Sequence, residues 1–501
     1  MIEHRVRPQK PGERCPREEQ LAWKIAAFAA DRAPLDPAAA EMAALRIIDD
    51  WAVAIAALDR PSVIAAQGAA LAFPKAEAGS SLIGIGQRVA VDPFWGGYAN
   101  ATAIRELDFN DSFFAVDSSH PGDVIGPLAA IAEAKKLSGA ALLHGIVTAY
   151  EVQVDLVKGI ALNRHRIDHV AHLGPAVASG LGAMLGLETE VIYHAVNLAA
   201  QLTVSTRQTR KGEISSYKAN APGHVGQIAM LALDRAMRGE TSPAPVYEGD
   251  YGILAILLGG PDSEAIVPLP APGEPARAIL ETYPKEHSAG YHGQALIDLA
   301  FNMRDKIGDT GKVRDIAIHT KELTHLVMGS GAGDPEKWDP KASRETLDHS
   351  AMFIFTVALQ DGIWDHDASY DPARVARPDT VALWQKVRTV ADPVWTSAFT
   401  DPAPLDKAHG ASVVITFDDG RIVEDNLRVA NAHPRGASPF GPEDYRRKLL
   451  KLSERRVSET EAERFLTLVQ GLPAEGSAAP VDLSIDAGLR DQPRGAPGLF
   501  S

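Results

Sequence analysis

The amino-acid sequence predicts a mainly α-helical fold, in which a large all-helical domain built from both chain ends carries a smaller inserted α+β lid domain. Apolar residues recur at helical spacing through the first three-fifths of the chain. The alternation typical of strands starts after roughly residue 306, and helical spacing returns after Pro434. These changes predict a helical domain over residues 1–278, an α+β lid over 279–432, and a helical return with a tail over 433–501.

The elements of the first helical part follow from the spacing of its apolar residues. Residues 1–20 are polar and contain proline, so we expect an extended arm there. The first long helix is indicated by apolar side chains at Ile47, Ile48, Trp51, Ile55 and Leu58. Another helix starts near Pro121, because proline is tolerated in a first turn. Lys135 and Lys136 fall in its last turn, and Gly139 fits the position after it.

The same helical spacing continues along the rest of this part, over residues 143–157, 173–210, 222–240 and 290–306. The one strand that we expect before residue 306 is a short one at Ser80–Gly84. The sequence therefore predicts helices packed on helices up to this point.

The inserted part mixes both patterns. Strands are predicted at Val313–Thr320, Val413–Phe417 and Arg421–Val429, the last two joined by an Asp419-Gly420 turn. Apolar helices are predicted near Ser350–Leu359 and Thr380–Val390. Beyond them come helices at Pro442–Leu452 and Glu459–Leu472, and then a tail from Ala474 with little periodicity, which we expect to be an arm or disordered.

Composition excludes several classes of protein. The chain has 501 residues, a formal net charge of −15 and one cysteine, so an internal disulfide and a thiolate-held iron–sulfur cluster are excluded. The acidic balance argues against general nucleic-acid binding. The start has no apolar signal region, and we find no run of about 18 apolar residues, so we expect a cytoplasmic protein without a membrane span.

The stretch Gly96–Gly122 is the most informative part of the chain. It is unusually polar for so apolar a protein, with Asp108, Asn110, Asp111, Ser112, Asp117, Ser118, Ser119 and His120. Such a segment is either a solvated loop or the lining of a site, because binding and catalytic groups concentrate on loops. A histidine beside carboxylates and hydroxyls can act as an acid or base near neutral pH.

His165, His169 and His172 have the spacing of one helix face. They could hold a metal there, but the chain has no HExxH pattern and no cysteine nearby. Three interpretations stay open: a capped helix start with solvated histidines, a metal site, or one histidine, above all His169, acting on a substrate. A basic cluster from Arg207 through Arg210 to Lys218 is either a solvated loop or an anion pocket.

Common catalytic signatures are missing from the sequence. It has no GxGxxG opening a βαβ unit, no P-loop and no GxSxG elbow. The remaining residues suggest metal-free acid/base chemistry on an anionic small molecule, and spacing alone carries the argument no further.

The chain resembles the 2-methylcitrate dehydratase family, also called MmgE/PrpD, which includes cis-aconitate decarboxylase. The resemblance runs from about Glu18 to about Leu472 and is carried by GYANATAIRELDFNDSF, SSHPGDVIGPLAAIAEAKKLSG, RIDHVAHLGPAVASGLGAMLGL, RKGEISSYKANAPGHVG, YPKEHSAGYHGQA, RETLDHSAMFIFTVALQDG and HPRGASPFGPEDYRRKL. It implies a mainly helical domain, a smaller α+β lid, a homodimer, and no metal or cofactor requirement.

The resemblance also assigns residues to roles. The catalytic positions that it implies are Asp108, His120, His169 and His292. The substrate-binding positions that it implies are Ser112, Lys218, Arg207, Arg210 and His287, the last a near competitor of the lid histidine. Two features depart from the decarboxylase: a slightly longer loop between Ser112 and His120, and a serine in place of a threonine at 112.

The implied reaction is the dehydration of 2-methylcitrate, a tricarboxylate of propionate breakdown in the methylcitrate cycle, to 2-methyl-cis-aconitate. One of His120 and His169 would remove a carbon-bound proton, and the other, protonated, would assist departure of hydroxide. Asp108 would orient one imidazole and favour its charged form. His292 would reach the substrate when the lid closes.

Three functions compete at this stage. The first is the dehydratase, possible also with citrate, which the SSHPGD and RIDHVAHLG segments favour. The second is decarboxylation of cis-aconitate in the same carboxylate pocket. The third is a non-catalytic binding member of the fold, which would not need Asp108, His120, His169 and Lys218 together.

Overall fold

Helices dominate the computed structural model, which describes residues 1–86, 89–474, 479–489 and 494–500. Among these residues the α-helices, numbered α1 to α19 in chain order, are Leu21–Ala30, Pro37–Ala56, Pro61–Leu71, Pro93–Glu106, Ile125–Ala134, Gly139–Gly159, Leu173–Met184, Thr189–Leu202, Tyr217–Met237, Ile253–Leu257, Tyr291–Ile307, Glu322–Val327, Arg344–Leu347, Ala351–Asp361, Pro372–Val375, Pro378–Trp384, Pro393–Phe399, Pro442–Ser453 and Glu459–Gln470. The predicted mainly α class is confirmed.

The described strands form three small sheets. Strands β1 to β8 are Ile2–Val6, Phe113–Phe114, Ser118–Ser119, Ala265–Leu269, Val313–Thr320, Val387–Ala391, Ala411–Phe417 and Ile422–Leu427. The largest sheet has the order β6-β5-β7-β8, with β5 parallel to β6 and antiparallel to β7. The other two are the antiparallel pairs β1–β4 and β2–β3.

Two separate hydrophobic clusters underlie this layout. The larger one takes buried side chains from Val6 to Ile279 and again from Tyr445 to Leu489, so both chain ends contribute to it. The smaller one takes side chains from Ala289 to Phe417, where the sheet of β5 to β8 packs against α11 and α14. The domain boundaries predicted above, and the closing motion of a lid, stay predictions.

Strands were under-predicted before residue 306. Ser80–Gly84 makes only isolated bridges, whereas β1, β2, β3 and β4 are real strands. The supposed arm contains β1, which pairs with β4 about 260 residues later, Ile2 opposite Leu269. Neither segment alternates clearly between apolar and polar residues, because each lies in a two-stranded sheet on the protein surface.

The region around residues 380–390 was predicted as one helix, and this is wrong. Helix α16 ends at Trp384, and Val387–Ala391 is the strand β6, whose Ile316–Val387 pairing is parallel to β5. A similar local correction applies to the turn before α6. Lys136, with φ of 55°, adopts the left-handed conformation after α5, whereas Gly139 is the first residue of the next helix.

The tail is not a loose arm where it is described. Val481, Leu483, Ile485 and Leu489 are buried in the larger cluster. The indole nitrogen of Trp51 donates a hydrogen bond of 2.8 Å to the carbonyl oxygen of Leu483. Residues 475–478, 490–493 and 501 of the predicted tail lie outside the described residues.

Helix α6, Gly139–Gly159, is the one described helix that is long and apolar enough to cross a membrane, by length and composition alone. It packs inside the larger cluster, and 83% of its most apolar window is buried by the protein. A buried core helix passes the same test, so this feature is weak evidence of a membrane span.

We predict that Leu483→Ala destabilises the protein by about 3 kcal/mol, because a buried leucine leaves a cavity when it is truncated. Urea denaturation followed by circular dichroism measures the free energy of unfolding. Leu499→Ala is the matched control in the same tail: Leu499 is 91% exposed and should leave that free energy unchanged. Equal effects of the two substitutions would contradict the packed tail.

Candidate active site

A short hairpin brings Ser112 and His120 together. Phe113 pairs with Ser119 and Phe114 with Ser118, so the same register places Ser112 opposite His120. The Ser112 hydroxyl oxygen lies 3.1 Å from Nδ1 of His120. The segment between Ser112 and His120 is therefore one antiparallel hairpin.

The imidazole rings of His120 and His169 face each other across the site, with centroids 5.5 Å apart. His120 precedes the turn that leads into α5, and His169 begins the 3-10 turn before α7. The predicted helix face with His165 and His172 does not exist. His165 is exposed in an earlier turn, and His172 is tied to the carbonyl oxygen of Ile160, 3.1 Å from its Nε2.

The hydrogen-bond partners fix which nitrogen of each ring faces the site. Nδ1 of His120 lies 2.9 Å from the carbonyl oxygen of Asp111, and Nδ1 of His169 lies 3.2 Å from Oδ1 of Asp168. Both oxygens only accept, so in the neutral rings Nδ1 carries the hydrogen. Nε2 then keeps a free lone pair on each ring, and Nε2 of His169 has no protein partner among the described residues.

Both rings are held in their neutral form. Burial, and then the charges of Arg105 and Lys285, keep the pKa of His120 well below its ordinary value. Burial does the same for His169: Asp168 raises the pKa of its imidazole, but burial together with Arg210 outweighs that effect. Neutral imidazoles are competent proton acceptors at neutral pH.

The carboxylate beside His169 is Asp168, a residue that the sequence analysis did not select. Burial would raise the pKa of Asp168, but Arg210 and then His169 lower it below the ordinary value. Nε of Arg210 lies 3.2 Å from Oδ2 of Asp168, and the hydroxyl of Thr209 donates to the same oxygen. The other two nitrogens of Arg210 are buried without a protein hydrogen-bond partner in the described chain.

Asp108 is the centre of a buried charge network. Its carboxylate lies 3.0 Å from Nη1 of Arg105 and 3.0 Å from Nζ of Lys218, and it also contacts Nζ of Lys285. Nζ of Lys285 donates a further bond of 2.7 Å to the Asp108 carbonyl oxygen. Asp108 has φ of 49°, a left-handed conformation that aspartate tolerates better than most residues and that these contacts hold in place.

The network sets the pKa values of its members. Burial alone would raise the pKa of Asp108, but Arg105, Lys218 and Lys285 reverse this and hold it well below the ordinary value. Burial lowers the pKa of Lys285 to about 8. Asp108 makes no hydrogen bond or ion pair with His120 or His169 in the described chain, and the imidazole beside its carboxylate is His349, 3.4 Å away. Its charge nevertheless raises the pKa of His120, against the stronger effects of burial, Arg105 and Lys285.

Asp348 and His349 complete the network from the inserted segment. Nζ of Lys218 donates bonds of 2.8 and 2.9 Å to the two carboxylate oxygens of Asp348, and Arg344 contributes another of 3.1 Å. Burial would raise the pKa of Asp348, but Lys218 and His349 lower it to about 2. The RETLDHS segment that carried the family resemblance contains both residues, so a charged pair directly before an apolar helix was the available signal.

A second group of buried carboxylates, which includes Asp111 and Asp50, supports the loop that carries Asp108. Arg46 of α2 lies 3.3 Å from Asp111 and donates to the hydroxyls of Tyr445 and Thr282. A Cβ atom at Gly122 would lie 3.0 Å from an oxygen of Asp50 and 3.1 Å from one of Asp111, so glycine allows this close approach without a shift of either carboxylate. Burial, and then Asp111, raise the pKa of Asp50 well above its ordinary value.

The returning C-terminal helix α18 also holds the site loop. Nζ of Lys448 donates hydrogen bonds of 2.9 Å to the carbonyl oxygens of both Phe109 and Lys285. Phe109 follows Asp108 in the chain, and Lys285 is the ion-pair partner of Asp108. Nζ of Lys448 also lies 2.7 Å from the carboxylate of Asp49 and 3.8 Å from the ring centroid of Phe109. Both ends of the chain therefore meet at the loop that carries Asp108.

The two candidate histidines of the inserted segment are placed differently. The charges of Lys321, His349, Arg207 and Lys285 add to burial in lowering the pKa of His292, so His292 lies near the charge network. Nε2 of His287 instead lies 2.9 Å from Asp298 of the helix α11 that follows it, with its ring against Phe301. No contact among the described residues joins His287 to the network.

Arg207 is held in the site by a chain of hydrogen bonds. Its guanidinium donates to the side-chain oxygen of Asn163, and Asn163 in turn donates from its backbone to Asp117. Of the nine residues that the resemblance selected, the structure brings together all except His287. Their roles in the reaction stay predictions.

Two groups in the described chain have the donor atoms of a metal site: Asp108 with Asp348 and His349, and Glu286 with His287 and Asp298. The first already has its carboxylates paired with lysine and arginine side chains. These fixed positive charges disfavour a cation at the same oxygens.

We predict that Asp108→Asn destabilises the protein much more than Asp123→Asn does, although both carboxylates are buried beside Arg105. Removing the Asp108 charge takes the carboxylate partner from Arg105 and Lys285, while Lys218 keeps Asp348. This loss should cost about 3–5 kcal/mol of unfolding free energy. Burial raises the pKa of Asp123 to about 7, so at pH 6 it is already neutral. Its replacement should cost less than about 1.5 kcal/mol.

Urea denaturation of both variants at pH 6 checks this pair of expectations. Each substitution keeps the volume of the side chain, so the comparison isolates the charge. A similar loss of stability in both would contradict the central role of the Asp108 carboxylate.

Comparison with known protein families matches residues 19–266 to the MmgE/PrpD N-terminal domain and residues 287–473 to the MmgE/PrpD C-terminal domain. The matched residues cover most of the chain and include the nine candidate residues that the sequence analysis selected, whereas Lys285 lies between the two matched ranges.

Curated relatives show the same likeness at low identity. The mitochondrial 2-methylcitrate dehydratase of Yarrowia lipolytica is 26% identical over 353 residues, 67% of this chain and 65% of that protein. The 2-methylcitrate dehydratase of Cupriavidus necator is 25% identical over 68% of this chain and 71% of that protein. The 2-methylcitrate dehydratase-like protein oryR of Aspergillus oryzae is 24% identical over 90% of this chain and 93% of its own length.

Proposed function

The chain belongs to the MmgE/PrpD family, and from this premise we propose that it is a hydro-lyase that removes water from 2-methylcitrate to give 2-methyl-cis-aconitate. The relatives named as 2-methylcitrate dehydratases support this reaction class. The observation that carries the proposal is the pair of facing imidazoles, 5.5 Å apart, each with its Nε2 free and each beside buried cations.

The buried cations near the two histidines suit a substrate with several carboxylates. 2-Methylcitrate has three carboxylates. Besides burial, the charges of Arg210 and Arg207 lower the pKa of His169, and the charge of Lys285 lowers that of His120, so cations act on both rings. The two nitrogens of Arg210 without a protein partner are suited to a carboxylate, because a guanidinium presents its donors as a fork. Burial strengthens such charge pairs relative to water.

In the proposed mechanism His120 is the base. Its Nδ1 is held by a neutral carbonyl oxygen, which leaves Nε2 to take the proton from the carbon next to a substrate carboxylate. Ser112 holds the same edge of the ring through its hydroxyl. The surrounding cations would stabilise the negative charge that develops on that carboxylate.

His169 is the acid in the same mechanism. The adjacent Asp168 favours an imidazolium on His169, and the negative charge of a bound tricarboxylate would add to this effect. The protonated Nε2 then gives its proton to the departing hydroxide, so that water leaves. The carbon–hydrogen and carbon–oxygen bonds break, the carbon–carbon double bond forms, and no oxidant or reductant is needed.

The direct test follows the absorbance of the conjugated alkene after chelator-treated protein is added to racemic 2-methylcitrate, with citrate in parallel. A rise that survives chelation supports metal-free dehydration. If no rise occurs but CO2 is released from cis-aconitate, the protein is a decarboxylase that uses the same pocket. If it binds these acids and turns over neither, it is a non-catalytic binding member.

Several properties of the wider proposal come from the family resemblance. We propose a homodimer that works in the cytoplasm without metal or cofactor, in propionate breakdown through the methylcitrate cycle. We also propose that residues 279–432 act as a lid, which brings His292 to the substrate when it closes.

We predict that His120→Asn and His169→Asn each lower kcat by about 10²–10⁴-fold, the usual contribution of a positioned acid or base. Asparagine can still donate from Nδ2 to the oxygen that holds Nδ1, so the fold should be kept. His172→Gln is the control, since His172 is buried nearby but engaged with Ile160. Near-wild-type turnover in both asparagine variants would refute these roles.

We also predict that citrate binding at pH 7 takes up protons, and that His169→Asn lowers this uptake by up to one proton per site. The pKa of His169 lies well below its ordinary value in the free protein, and an anionic ligand raises it, so the ring gains a proton on binding. Calorimetric titration in two buffers of different ionisation enthalpy measures the uptake. His172→Gln should leave it unchanged, and so would His169→Asn if His169 is not the acid.

A further inference from the structure

A buried aromatic cluster lies where the inserted segment meets the site loop. It consists of Phe114, Tyr283, Tyr291, Phe399 and His409, whose rings all contact one another or a common neighbour at centroid distances of 5.0–6.3 Å. Phe114 belongs to the hairpin that also positions Ser112 and His120. The cluster is therefore directly continuous with the candidate active site.

Lys321 brings a buried positive charge to this cluster. It is 1% exposed, and its Nζ has no protein hydrogen-bond partner among the described residues. Its nearest ring is that of Phe399, 4.9 Å from Nζ to the centroid. A buried ammonium without an anion is expensive, so proteins pair such groups or use them for ligands.

Two further residues of the same cluster have unpartnered polar atoms, and their rings contact each other with centroids 5.1 Å apart. Both ring nitrogens of His409 and the hydroxyl of Tyr291 are buried and have no protein partner in the described chain. The antiparallel pairing of Thr320 with Ala411 sets the end of β5 beside the start of β7, which brings Lys321 and His409 to one edge of the sheet. Buried polar groups nearly always have partners, so three such donors together indicate a ligand.

The charged neighbours that act on His409 are cations, whereas burial, and then Tyr283 and Asp298, raise the pKa of Tyr291. The charge of Lys321 lowers the pKa values of both His409 and His292 in addition to burial. Burial is the one influence that lowers the pKa of Lys321, to about 7, so in the described chain no carboxylate offsets it. Lys407 also adds to the positive field at His409.

His292 connects this corner with the charge network. Burial, and then the charges of Lys321, His349, Arg207 and Lys285, lower its pKa. Its Nδ1 lies 3.1 Å from the hydroxyl of Thr324 on α12. Its ring also contacts Phe114 at 5.0 Å. A substrate that contacts His292 would therefore lie within the influence of Lys321 and also of Lys285 and Arg207.

We infer that Lys321, His409 and Tyr291 form a carboxylate-binding site, through which the inserted segment holds one carboxylate of the substrate. The inference rests on the proposed function for the identity of the substrate as a polycarboxylate. A carboxylate suits the site because it is an acceptor with a full negative charge, and the site offers an ammonium, an imidazole and a phenol hydroxyl. The aromatic walls exclude water and strengthen the pairing.

The site would also contribute to specificity. A substrate with a carboxylate at this end gains a charge-assisted bond, and an analogue without it leaves the ammonium buried and unpaired. A site that would leave a buried polar group unpaired rejects the wrong ligand more strongly than a site with apolar contacts alone.

The test measures the Kd of citrate by calorimetric titration for the full-length protein and for Lys321→Met, which keeps the length of the side chain and removes its charge. We expect Kd to rise by about ten- to hundred-fold, the worth of a hydrogen bond to a charged group. Citramalate, which has one carboxylate fewer than citrate, should lose less affinity than citrate in the same variant.

Lys407→Met is the matched control. Nζ of Lys407 lies 5.3 Å from the centroid of the same Phe399 ring, but it already donates to the carbonyl oxygens of Phe399 and Asp401. Citrate binding should be unchanged in this variant. Thermal denaturation establishes that each variant folds, and His409→Phe, which keeps the ring and removes both nitrogens, provides a second route to the same loss of affinity.

The outcomes separate the two proposals. Unchanged citrate affinity in Lys321→Met and His409→Phe would overturn the carboxylate site, as would an equal loss in the Lys407→Met control. A wild-type protein that binds citrate through Lys321 but dehydrates neither acid would retain the site and refute the dehydratase. A wild-type protein that binds no polycarboxylate would refute both.

Discussion

The pairing of the buried Asp108 carboxylate with Arg105, Lys218 and Lys285 is the constraint on which the rest of the site depends. Its members come from the end of α4, the start of α9 and the chain just before α11. Charges this deeply buried persist only when each is compensated, so the three segments are held at fixed distances from one another. Asp348 extends the same pairing into the inserted segment through Lys218.

This excess of buried positive charge determines how the other groups titrate. It keeps the Asp108 and Asp348 carboxylates ionised, and it adds to burial in keeping the imidazoles of His120 and His292 neutral. Carboxylates for which burial outweighs the neighbouring cations behave in the opposite way, as the raised pKa values of Asp50 and Asp123 show. The protein thus presents neutral bases within a positive field, an arrangement suited to removing a proton from an anionic molecule.

Residues from both ends of the chain hold the backbone of the site in place. Lys448 of α18 binds the carbonyl oxygens beside Asp108 and at Lys285, and Arg46 of α2 links the loop at Asp111 to Tyr445. The C-terminal part therefore contributes to the site as well as to the helical core. It supplies the cation that holds two backbone segments of the site together, which explains why the helical part needs both ends of the chain.

The sequence by itself determined the helical class, most of the long helices and the hairpin strands β7 and β8, because apolar periodicity is a local property that each segment carries alone. It also selected eight residues that the structure brings together. Only the tertiary structure decided the strands β1 and β4, the strand β6 and the packing of residues 479–489, since each depends on a partner far away in the chain. The same holds for Asp168, Lys285, His349 and Lys321, whose charge states depend on burial and on neighbours that sequence spacing does not reveal.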